Sequence, residues 1–455
     1  MTDIIASAGV DGKKISSPGH YNLSHVELYP HSNPGFESGK PFLEIKDLVT
    51  EIEITEALDQ TSIFVTLFVV DTNNILETLR ICGNEKIHIH IIQDILKPSV
   101  KKEIDIEVYI SDIVDFVKPT PGAQTYKIIA VSKEAFYNQL ETLNYKFDDS
   151  VTELINNICK DKLKSKLNVT TLPKGGGLMK GIYPNLKPFQ AIKWLARNGV
   201  TDGSPYFFWH SIRKNNKGVN KPSFYLSTYK AMILEESIET FNNVPFFKEK
   251  ERTEENFYTS QLQKIREISS DLNISVFNNI RKGAYASKTV TVDLSKKTVT
   301  PEKFDYSTGK IKGANDFPPF NPKVDQETTL FEKHDSNKIY ISENANAFDD
   351  KLNYHSQLQS NIKEAQSYMV NAQSIGHRLT LSGNPDLHAG AMIDLNILKA
   401  IDGDELGGDN SYDQYMSGKY MILSIVHKFS IKEYITVVDI AKDSSKLDLE
   451  SGIKL

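Results

Sequence analysis

The sequence has few cysteines and no surplus of basic residues. Only Cys82 and Cys159 occur among its 455 residues, which excludes a disulfide scaffold and disfavours a thiolate-rich zinc site. We expect two buried free thiols in a reducing compartment. Lys and Arg total 53 against 59 Asp and Glu, for a formal net charge of -6. Proteins that bind DNA through its phosphates usually carry a basic surplus, so such binding would require a local basic patch here.

Long apolar runs are also missing. The longest, residues 63–70, is far too short to cross a bilayer, and the first residues contain no apolar stretch of the kind found in signal peptides. The overall composition, 39% hydrophobic and 25% charged residues, is typical of globular proteins. The length suggests about three domains. We therefore expect a protein that is kept in a cytoplasm or is assembled there into something larger.

Alternating apolar and polar residues predict half-buried strands in two separate parts of the chain. In residues 41–135, for example, Ile87, Ile89 and Ile91 are separated by histidines. Residues 376–443 return to the same pattern. Each part is long enough for several antiparallel strands, which favours a sheet or a barrel.

Residues between these two parts show the period of helices. Ser150 begins an S-x-x-E capping box, and an apolar stripe follows it at helical spacing. Pro188 stands at the first position of a second predicted helix, which ends at Gly199. Aromatic strands come next, so the region is predicted to be a small α/β domain. A further helix is predicted for residues 354–372 from its three-to-four spacing.

The predicted fold class is mainly β with α+β insertions, in which two similar antiparallel β-barrel domains are accompanied by smaller α/β domains. The predicted divisions are an extended N-terminal arm with little core of its own (1–40), a first β-barrel domain (41–145), an α/β domain (146–232), a connector with the first strands of the second β-barrel domain (233–300), a proline-rich excursion and a helix (301–375), the remainder of the second β-barrel domain (376–445) and a C-terminal tail (446–455).

The two β parts resemble each other, which suggests an internal duplication. The matched residues are Gly83 with Gly390, then Ile110, Ile113 and Val114 with Ile422, Ile425 and Val426, then Tyr126 with Tyr434, and finally Ser132-Lys133-Glu134 with Ala441-Lys442-Asp443. Any two meanders of alternating strands can look alike by chance. Several matches in the same order nevertheless favour a duplication.

A duplicated β domain has a consequence for assembly. Two similar domains in one subunit can occupy equivalent places around an axis, so three subunits would make a ring of six similar units. Closed rings arise from heterologous contacts whose rotation closes. Pairing with a neighbouring subunit would also cover the exposed edge strands of each domain.

Three segments resemble parts of the central baseplate hub proteins of contractile-tailed, T-even-like bacteriophages and of the hub part of type VI secretion spikes. They are residues 182–196 with Pro184, Pro188 and Trp194, residues 283–287 with Gly283 and the later Asp293, and residues 383–390 with Gly383, Asn384 and Gly390, which lead to Gly418 and His427. As a pattern of blocks the similarity covers roughly residues 41–443. The arm before Pro41 and the proline-rich residues 301–330 lie outside it.

The resemblance implies a structural role without catalysis. In such hubs, two β-barrel tube domains per subunit form a pseudo-sixfold ring from a homotrimer, and the ring adapts the sixfold tail tube to a threefold spike. The implied partners are two further copies of the chain, a trimeric spike protein, tail-tube or tube-initiator proteins and the tape-measure protein. DNA would pass through the ring without specific binding, and no membrane insertion is implied.

The resemblance also implies a location in the tail baseplate of the virion, after assembly in the host cytoplasm. Because the chain ends at Leu455, it has no room for the needle domain that is fused to secretion spikes. We therefore expect the spike to be a separate polypeptide.

Patterns that could carry chemistry are weak. His88 and His90 point to one face of a strand, but no third ligand is identifiable, so a polar strand face is favoured over a metal site. Residues 402–409 lack the spacing of a calcium loop, and residues 175–177 lack the ending of a phosphate loop. The aromatic run 206–209 is expected in the core and not on a nucleic-acid surface. We predict no catalytic residue, no metal and no cofactor.

Two other functions stay open from the sequence. The chain could be a hub or spike component of a secretion or phage-derived injection machine, which the missing needle domain disfavours. It could also be a cell-wall hydrolase of a baseplate. No G-x-S-x-G elbow occurs, and nothing marks out one pair among the 59 acidic residues for glycosidase chemistry.

Overall fold

The computed structural model describes residues 19–31, 41–94, 101–201, 204–215, 218–243, 259–271, 276–283, 286–294, 297–305, 315, 338–343, 367, 370, 375–399, 412–444 and 446. No helix among them is both long and apolar enough to cross a lipid bilayer.

Strands make up most of the described elements, which confirms the prediction of a mainly β fold. In chain order the strands are β1 (Asn22–Tyr29), β2 (Leu43–Glu44), β3 (Val49–Ala57), β4 (Phe64–Asp71), β5 (Lys86–Asp94), β6 (Lys101–Thr120), β7 (Ala123–Val131), β8 (Lys146–Ser150), β9 (Val169–Leu172), β10 (Leu178–Ile182), β11 (Val200–Thr201), β12 (Ser204–Lys214), β13 (Val219–Thr228), β14 (Thr240–Asn242), β15 (Ile265–Asp271), β16 (Ala286–Asp293), β17 (Thr298–Asp305), β18 (Lys338–Glu343), β19 (Ile375–Ser382), β20 (Met392–Asn396), β21 (Gly418–Ser430) and β22 (Tyr434–Lys442). The helices are α1 (Ile75–Thr78), α2 (Lys133–Leu140), α3 (Val151–Asn157), α4 (Pro188–Asn198), α5 (Tyr229–Leu234) and α6 (Val276–Arg281), with a 3-10 turn at Lys46–Leu48 and a π-helical turn at Ile158–Lys162.

Two blocks of sheet have the same strand order. The first block is ordered β1–β5–β6–β7–β4–β3. The second block is ordered β14–β20–β21–β22–β19–β15. Corresponding strands also follow the same order along the chain, although β14 runs parallel to β20 whereas β1 runs antiparallel to β5. A shared order of this kind is what a duplicated domain predicts.

Alternation in the sequence decides which side chains each block buries. On β5, Ile87, Ile89 and Ile91 are at most 2% exposed. Successive side chains of a strand point to opposite faces, so His88 and His90 lie on the other side of the sheet. The inward-facing residues of each block form a separate apolar core.

Bulges recur at equivalent places in the two blocks. The register shifts between Ile110 and Asp112 in β6 and between Ile422 and Ser424 in β21, and it shifts between Val49 and Glu51 in β3 and between Ile265 and Glu267 in β15. Alternation alone does not require an extra residue at a given site, and bulges are usually retained features of a fold. The shared bulges therefore support the duplication more strongly than the sequence pattern does.

The register also corrects part of the predicted repeat. The bulge that β6 and β21 share aligns their partner strands, β7 and β22. In that alignment Tyr126 of β7 corresponds to Thr436 of β22 and not to Tyr434. The lysine triplets do not correspond either, because Lys133 begins α2 whereas Lys442 is a buried residue of β22. Those two matches are wrong. The match of Gly83 with Gly390 is also wrong by one residue, because the N–H of Asn84 bonds to Ile110 as that of Gly390 bonds to Ile422. The register does agree with the match of Ile110, Ile113 and Val114 to Ile422, Ile425 and Val426.

An α/β domain lies between the blocks, and its core is built from α3, α4, β12 and β13. The Ser150 hydroxyl accepts a hydrogen bond from the backbone N–H of Glu153 at 3.3 Å, as the capping box predicts. Pro188 is the first residue of α4. Phe208 and Trp209 are 3% and 1% exposed, so the aromatic run is part of the core, as expected.

Residues 22–29 depart from the prediction of an arm with little core. They form β1, which pairs with β5 from Asn22 to Tyr29 and buries Val26 and Leu28 completely. The strand has eight residues, and the residues around it are rich in Gly, Ser and Pro. Its alternation was therefore a weaker signal than the loop-like composition of its surroundings.

Other predictions need smaller changes. Cys159 is buried as expected, but Cys82 is exposed. Residues 301–305 continue β17 and do not begin a surface excursion; β17 belongs to a separate sheet with β16 and β18. The helix predicted for residues 354–372 lies outside the described residues, apart from two isolated positions, and so does the acidic segment 402–409.

Candidate assembly site

One strand pairing joins the two β blocks. Residues 51–57 of β3 pair antiparallel with residues 424–430 of β21, so backbone hydrogen bonds run from the first block into the second. β21 pairs with β20 only through residues 418–421. The part of β21 beyond its bulge has therefore left β20 and added itself to the edge of β3.

A buried carboxylate lies at this junction. Glu56 of β3 is 0% exposed. Its Oε1 accepts a hydrogen bond from the backbone N–H of Ile212 at 3.0 Å, and its Oε2 accepts one from the Ser211 hydroxyl at 2.7 Å. The backbone N–H of Ala389 donates to Oε2 at 3.4 Å. Glu56 thereby connects the first block, the α/β domain and the second block.

Burial raises the pKa of Glu56 to about 7, although its hydrogen bonds and the charge of Arg213 act in the opposite direction. Neutral hydrogen-bond donors contact the Glu56 carboxylate more closely than any cation does. The Glu56 side chain therefore changes its protonation state near neutral pH.

The hub-like segment at residues 383–390 reaches the same junction. Asp386 pairs with Lys102 of the first block at 2.8 Å and with Lys214 of the α/β domain at 2.9 Å. Burial alone would raise the pKa of Asp386, but the two ammonium groups outweigh it and hold the pKa below its ordinary value. The ammonium of Lys102 also donates to Asn384 Oδ1 at 2.8 Å. The segment thus ties three parts of the chain together.

Two glycines of this segment leave no room for a side chain. A Cβ atom on Gly383 would overlap the ring of Tyr434, and one on Gly390 would lie 2.7 Å from the ring of Trp209. Gly390 also has a φ of +81°, which favours glycine. Its N–H donates to the carbonyl of Ile422 at 2.8 Å. Residues that the sequence singled out as a motif and as a repeat therefore meet here.

The remaining predicted residues lie in other places. Pro184, Pro188 and Trp194 belong to the α/β domain, where the Trp194 ring meets Phe147 edge-on at 5.9 Å. Gly283 follows α6. The first block contains Gly83, Ile110, Ile113, Val114 and Tyr126, and the second contains Ile425 and Val426. Sequence reasoning missed Glu56 entirely, because a glutamate on an alternating strand carries no signal of burial.

In the first block, the end of β6 corresponds to the end of β21, but no described strand lies beside it as β3 lies beside β21. Pairing of β5 with β6 ends at Tyr109, so beyond the bulge β6 has only β7 beside it among the described residues. Phe116 and Val117 in this part of β6 are 49% and 55% exposed. Apolar side chains on an unpaired strand edge are a typical place for another strand to add.

A second unpaired edge lies on β15, the counterpart of β3. One side of β15 pairs with β19, and in the part of the chain that the structure describes no strand pairs with its other side. Residues 266–270 are exposed, including Ile268 at 38%. This edge corresponds to the one that β3 offers to β21 within the chain.

Asp386→Ala should lower the free energy of unfolding by about 1–2 kcal/mol, because the half-buried ammonium of Lys102 loses its carboxylate. Urea unfolding at neutral pH measures the change. Glu107→Ala is a matched control, since it removes a carboxylate whose side chain is 55% exposed in its pair with Lys86. The control should change stability by less than about 0.5 kcal/mol. Equal losses in both variants would contradict the role given to Asp386.

No protein-family model and no curated protein sequence matches the chain. Solved structures do match it. The tail protein from Neisseria meningitidis MC58 is 11% identical with a TM-score of 0.50, over 93% of this chain and 97% of that one. The 43 kDa tail protein of prophage MuSo2 from Shewanella oneidensis is 11% identical with a TM-score of 0.49, over 92% and 98%. A component of the type VI secretion system of E. coli is 7% identical with a TM-score of 0.43, over 89% and 76%.

At these identities the comparisons concern the fold alone. Over 93% of its length, the chain shares the fold of the tail protein from Neisseria meningitidis MC58. The resemblance that the three sequence segments predict is thereby confirmed at the level of the fold.

Proposed function

We propose that this chain, which has the fold of a phage tail protein, is the structural hub of a contractile-tail baseplate. Three copies would form a pseudo-sixfold ring, with the two β blocks of each copy as barrel-like tube domains. One face would join the tail tube, and the other would seat a trimeric spike. A single observation carries the proposal: the chain pairs β3 with β21 internally, and among the described residues no strand covers the corresponding edges of β15 and of the end of β6.

The free edges suggest how the ring closes. Within one subunit, β3 of the first block receives the end of β21 from the second block. Between subunits, β15 of the second block would receive the end of β6 from the first block of the next copy. Every contact then joins a first block to a second block, and such heterologous contacts close into a ring when their rotation permits.

The two edges also suit each other chemically. The end of β6 supplies Phe116 and Val117, and β15 supplies Ile268. Antiparallel pairing with Val117 opposite Ser269 would place Phe116 and Ile268 on one face of the sheet as diagonal neighbours. Cross-strand contacts between apolar side chains stabilise sheets.

The other partners in the proposal come from the hub resemblance. They are tail-tube or tube-initiator proteins, a separate trimeric spike and the tape-measure protein, which would occupy the lumen before DNA passes. The location would be the baseplate of the virion, after assembly in the host cytoplasm. Native mass spectrometry, with and without a candidate spike, tests this account: the assembled species should contain three copies, and a chain that stays monomeric in the particle would contradict it.

The proposed role is structural and not catalytic. The hub resemblance implies a structural role, so we expect that purified protein does not hydrolyse peptidoglycan, nucleotides or esters. Turnover that a single Asp or Glu substitution abolishes would overturn this part of the proposal.

The assembled ring should bind duplex DNA weakly at physiological salt. Each Lys or Arg that neutralises a phosphate adds salt-dependent affinity, so a basic wall would slow the exit of DNA. The formal charge of -6 agrees with a neutral or weakly acidic wall. A mobility-shift titration measures the affinity. Sub-micromolar binding with a steep salt dependence would point instead to a DNA-gripping portal or clamp.

A further inference from the structure

Three histidines and a glutamate meet on the outer face of the first block. β1 places His25 against the two histidines of β5, with ring centroids 5.0 Å from His88 and 4.9 Å from His90. Glu27 of β1 lies on the same face, and its Oε2 is 3.1 Å from His88 Nδ1. The ligand atoms of His25, Glu27 and His88 all lie within 4.8 Å of one another.

The structure supplies the third potential ligand that the sequence pattern lacks. No third partner for His88 and His90 is identifiable from the sequence, because residues 22–29 are predicted to be an arm. In the structure they form β1, whose register sets Glu27 opposite His88 and His25 opposite His90. Side chains directly opposite in an antiparallel pair are close neighbours. The third ligand therefore comes from the strand that sequence reasoning missed.

His88 is held as metal-binding histidines usually are. Its Nε2 lies 2.8 Å from Asp105 Oδ1 on β6, which leaves Nδ1 directed at Glu27. The other oxygen of Asp105 pairs with the ammonium of Lys221 at 2.7 Å. A carboxylate on the far nitrogen fixes the tautomer and orientation of a ligating imidazole. Glu27 is fixed as well, because the Tyr29 hydroxyl donates to its Oε2 at 2.7 Å.

The charges at the cluster favour a cation. The carboxylates of Glu27 and Asp105 both contact His88, and Glu103 lies 3.5 Å from His90 Nε2. The side chains of His88 and Glu27 are only 23% and 16% exposed, so solvent screens the cluster incompletely.

We propose that His25, Glu27 and His88 bind a divalent transition-metal ion such as Zn²⁺, with His90 beside them as a fourth possible ligand. Imidazole nitrogens with one carboxylate oxygen are a donor set that suits zinc. The ion would fasten β1 to β5, so metal binding would stabilise the first block.

The test uses the full chain with Cys82→Ser and His31→Ala, because His31, Cys82 and Glu85 form a second group of potential ligands. After treatment with EDTA, the protein is titrated with Co²⁺ and then with Zn²⁺. We expect one bound equivalent, visible d–d absorption of bound Co²⁺ and a higher Tm with Zn²⁺. His20→Ala, which removes an exposed histidine near β1, should bind normally.

Variants of the cluster decide between a metal site and a set of ion pairs. His25→Gln and His88→Gln should each abolish the Co²⁺ spectrum and the rise in Tm. Asp105→Asn keeps every ligand but should weaken Zn²⁺ binding by about 10–100-fold, as loss of a carboxylate behind a ligating histidine does. Metal binding that survives in folded His25→Gln and His88→Gln proteins, or no uptake by the parent, would overturn the proposal. If His88→Gln fails to fold, His25→Gln and Asp105→Asn still decide it.

Discussion

Replacing Phe116 and Val117 together by aspartate should leave the subunit folded and prevent the ring from forming. Both side chains are about half exposed at the free edge of β6, so the fold depends little on them. In the ring they would be covered by β15, which itself carries Glu267 and Asp271. Buried anchors in an interface contribute about 2 kcal/mol or more each, and the substitution adds repulsion between like charges. Native mass spectrometry in the presence of the spike should show monomers.

Phe277→Asp provides the control for this variant. Phe277 lies on α6, is 81% exposed and is on neither free edge. That variant should still form trimers, and circular dichroism should show that both proteins are folded. Trimers of the Phe116 and Val117 variant with the stability of the parent would mean that β6 is not the ring contact.

Glu56→Ala should be far more damaging to the subunit itself, lowering the free energy of unfolding by about 3–5 kcal/mol. The substitution leaves the Ser211 hydroxyl and the N–H groups of Ile212 and Ala389 buried without their acceptor. Unsatisfied buried donors are costly because no water replaces the lost partner. Urea unfolding measures the effect. Glu53→Ala, on the same strand but paired with Lys428 at the surface, should cost less than about 1 kcal/mol.

The same glutamate should make stability depend on pH. Its pKa in the folded chain is about 7, above the ordinary value of 4.5. Between these values the folded state holds a proton that the unfolded state has lost, so stability falls as the pH rises through this window. Glu56→Gln removes the titration, and its free energy of unfolding should change less between pH 5 and pH 8 than that of the parent. A parallel pH dependence in both proteins would show that another group is responsible.

The strands were predictable where alternation is regular and the segment is long. The alternation of Ile87, Ile89 and Ile91 predicts β5 even when its partner strands are unknown. β1 was not predictable in the same way, because its stability comes from pairing with a strand far along the chain. The match of Tyr126 with Tyr434 failed for another reason. A pattern of residues does not reveal where a bulge inserts an extra residue into a strand.

The junction was only half visible in the sequence. Residues 383–390 could be singled out as a motif, since glycines, a proline and an aspartate occur together there. The partners of Asp386 could not be predicted, because Lys102 and Lys214 are distant in the sequence and lysines are ordinary surface residues. Glu56 accepts hydrogen bonds from Ser211, which is 155 positions away in the sequence, and from Ala389, which is 333 positions away. Contacts of that range exist only once the three parts have packed.

A cysteine cross-link tests the central claim, that β6 of one copy pairs with β15 of the next. By register, Val117 corresponds to Lys428, and Ser269 corresponds to Glu53; Lys428 and Glu53 lie opposite each other within the chain. Val117 and Ser269 should therefore lie opposite each other between subunits. The variant carries Val117→Cys and Ser269→Cys with Cys82→Ser, and it is oxidised after assembly with the spike. We predict a covalent trimer on a non-reducing gel and only monomers from either single cysteine. A trimer by native mass spectrometry that yields no cross-link, or a disulfide that forms within one subunit, would contradict the account.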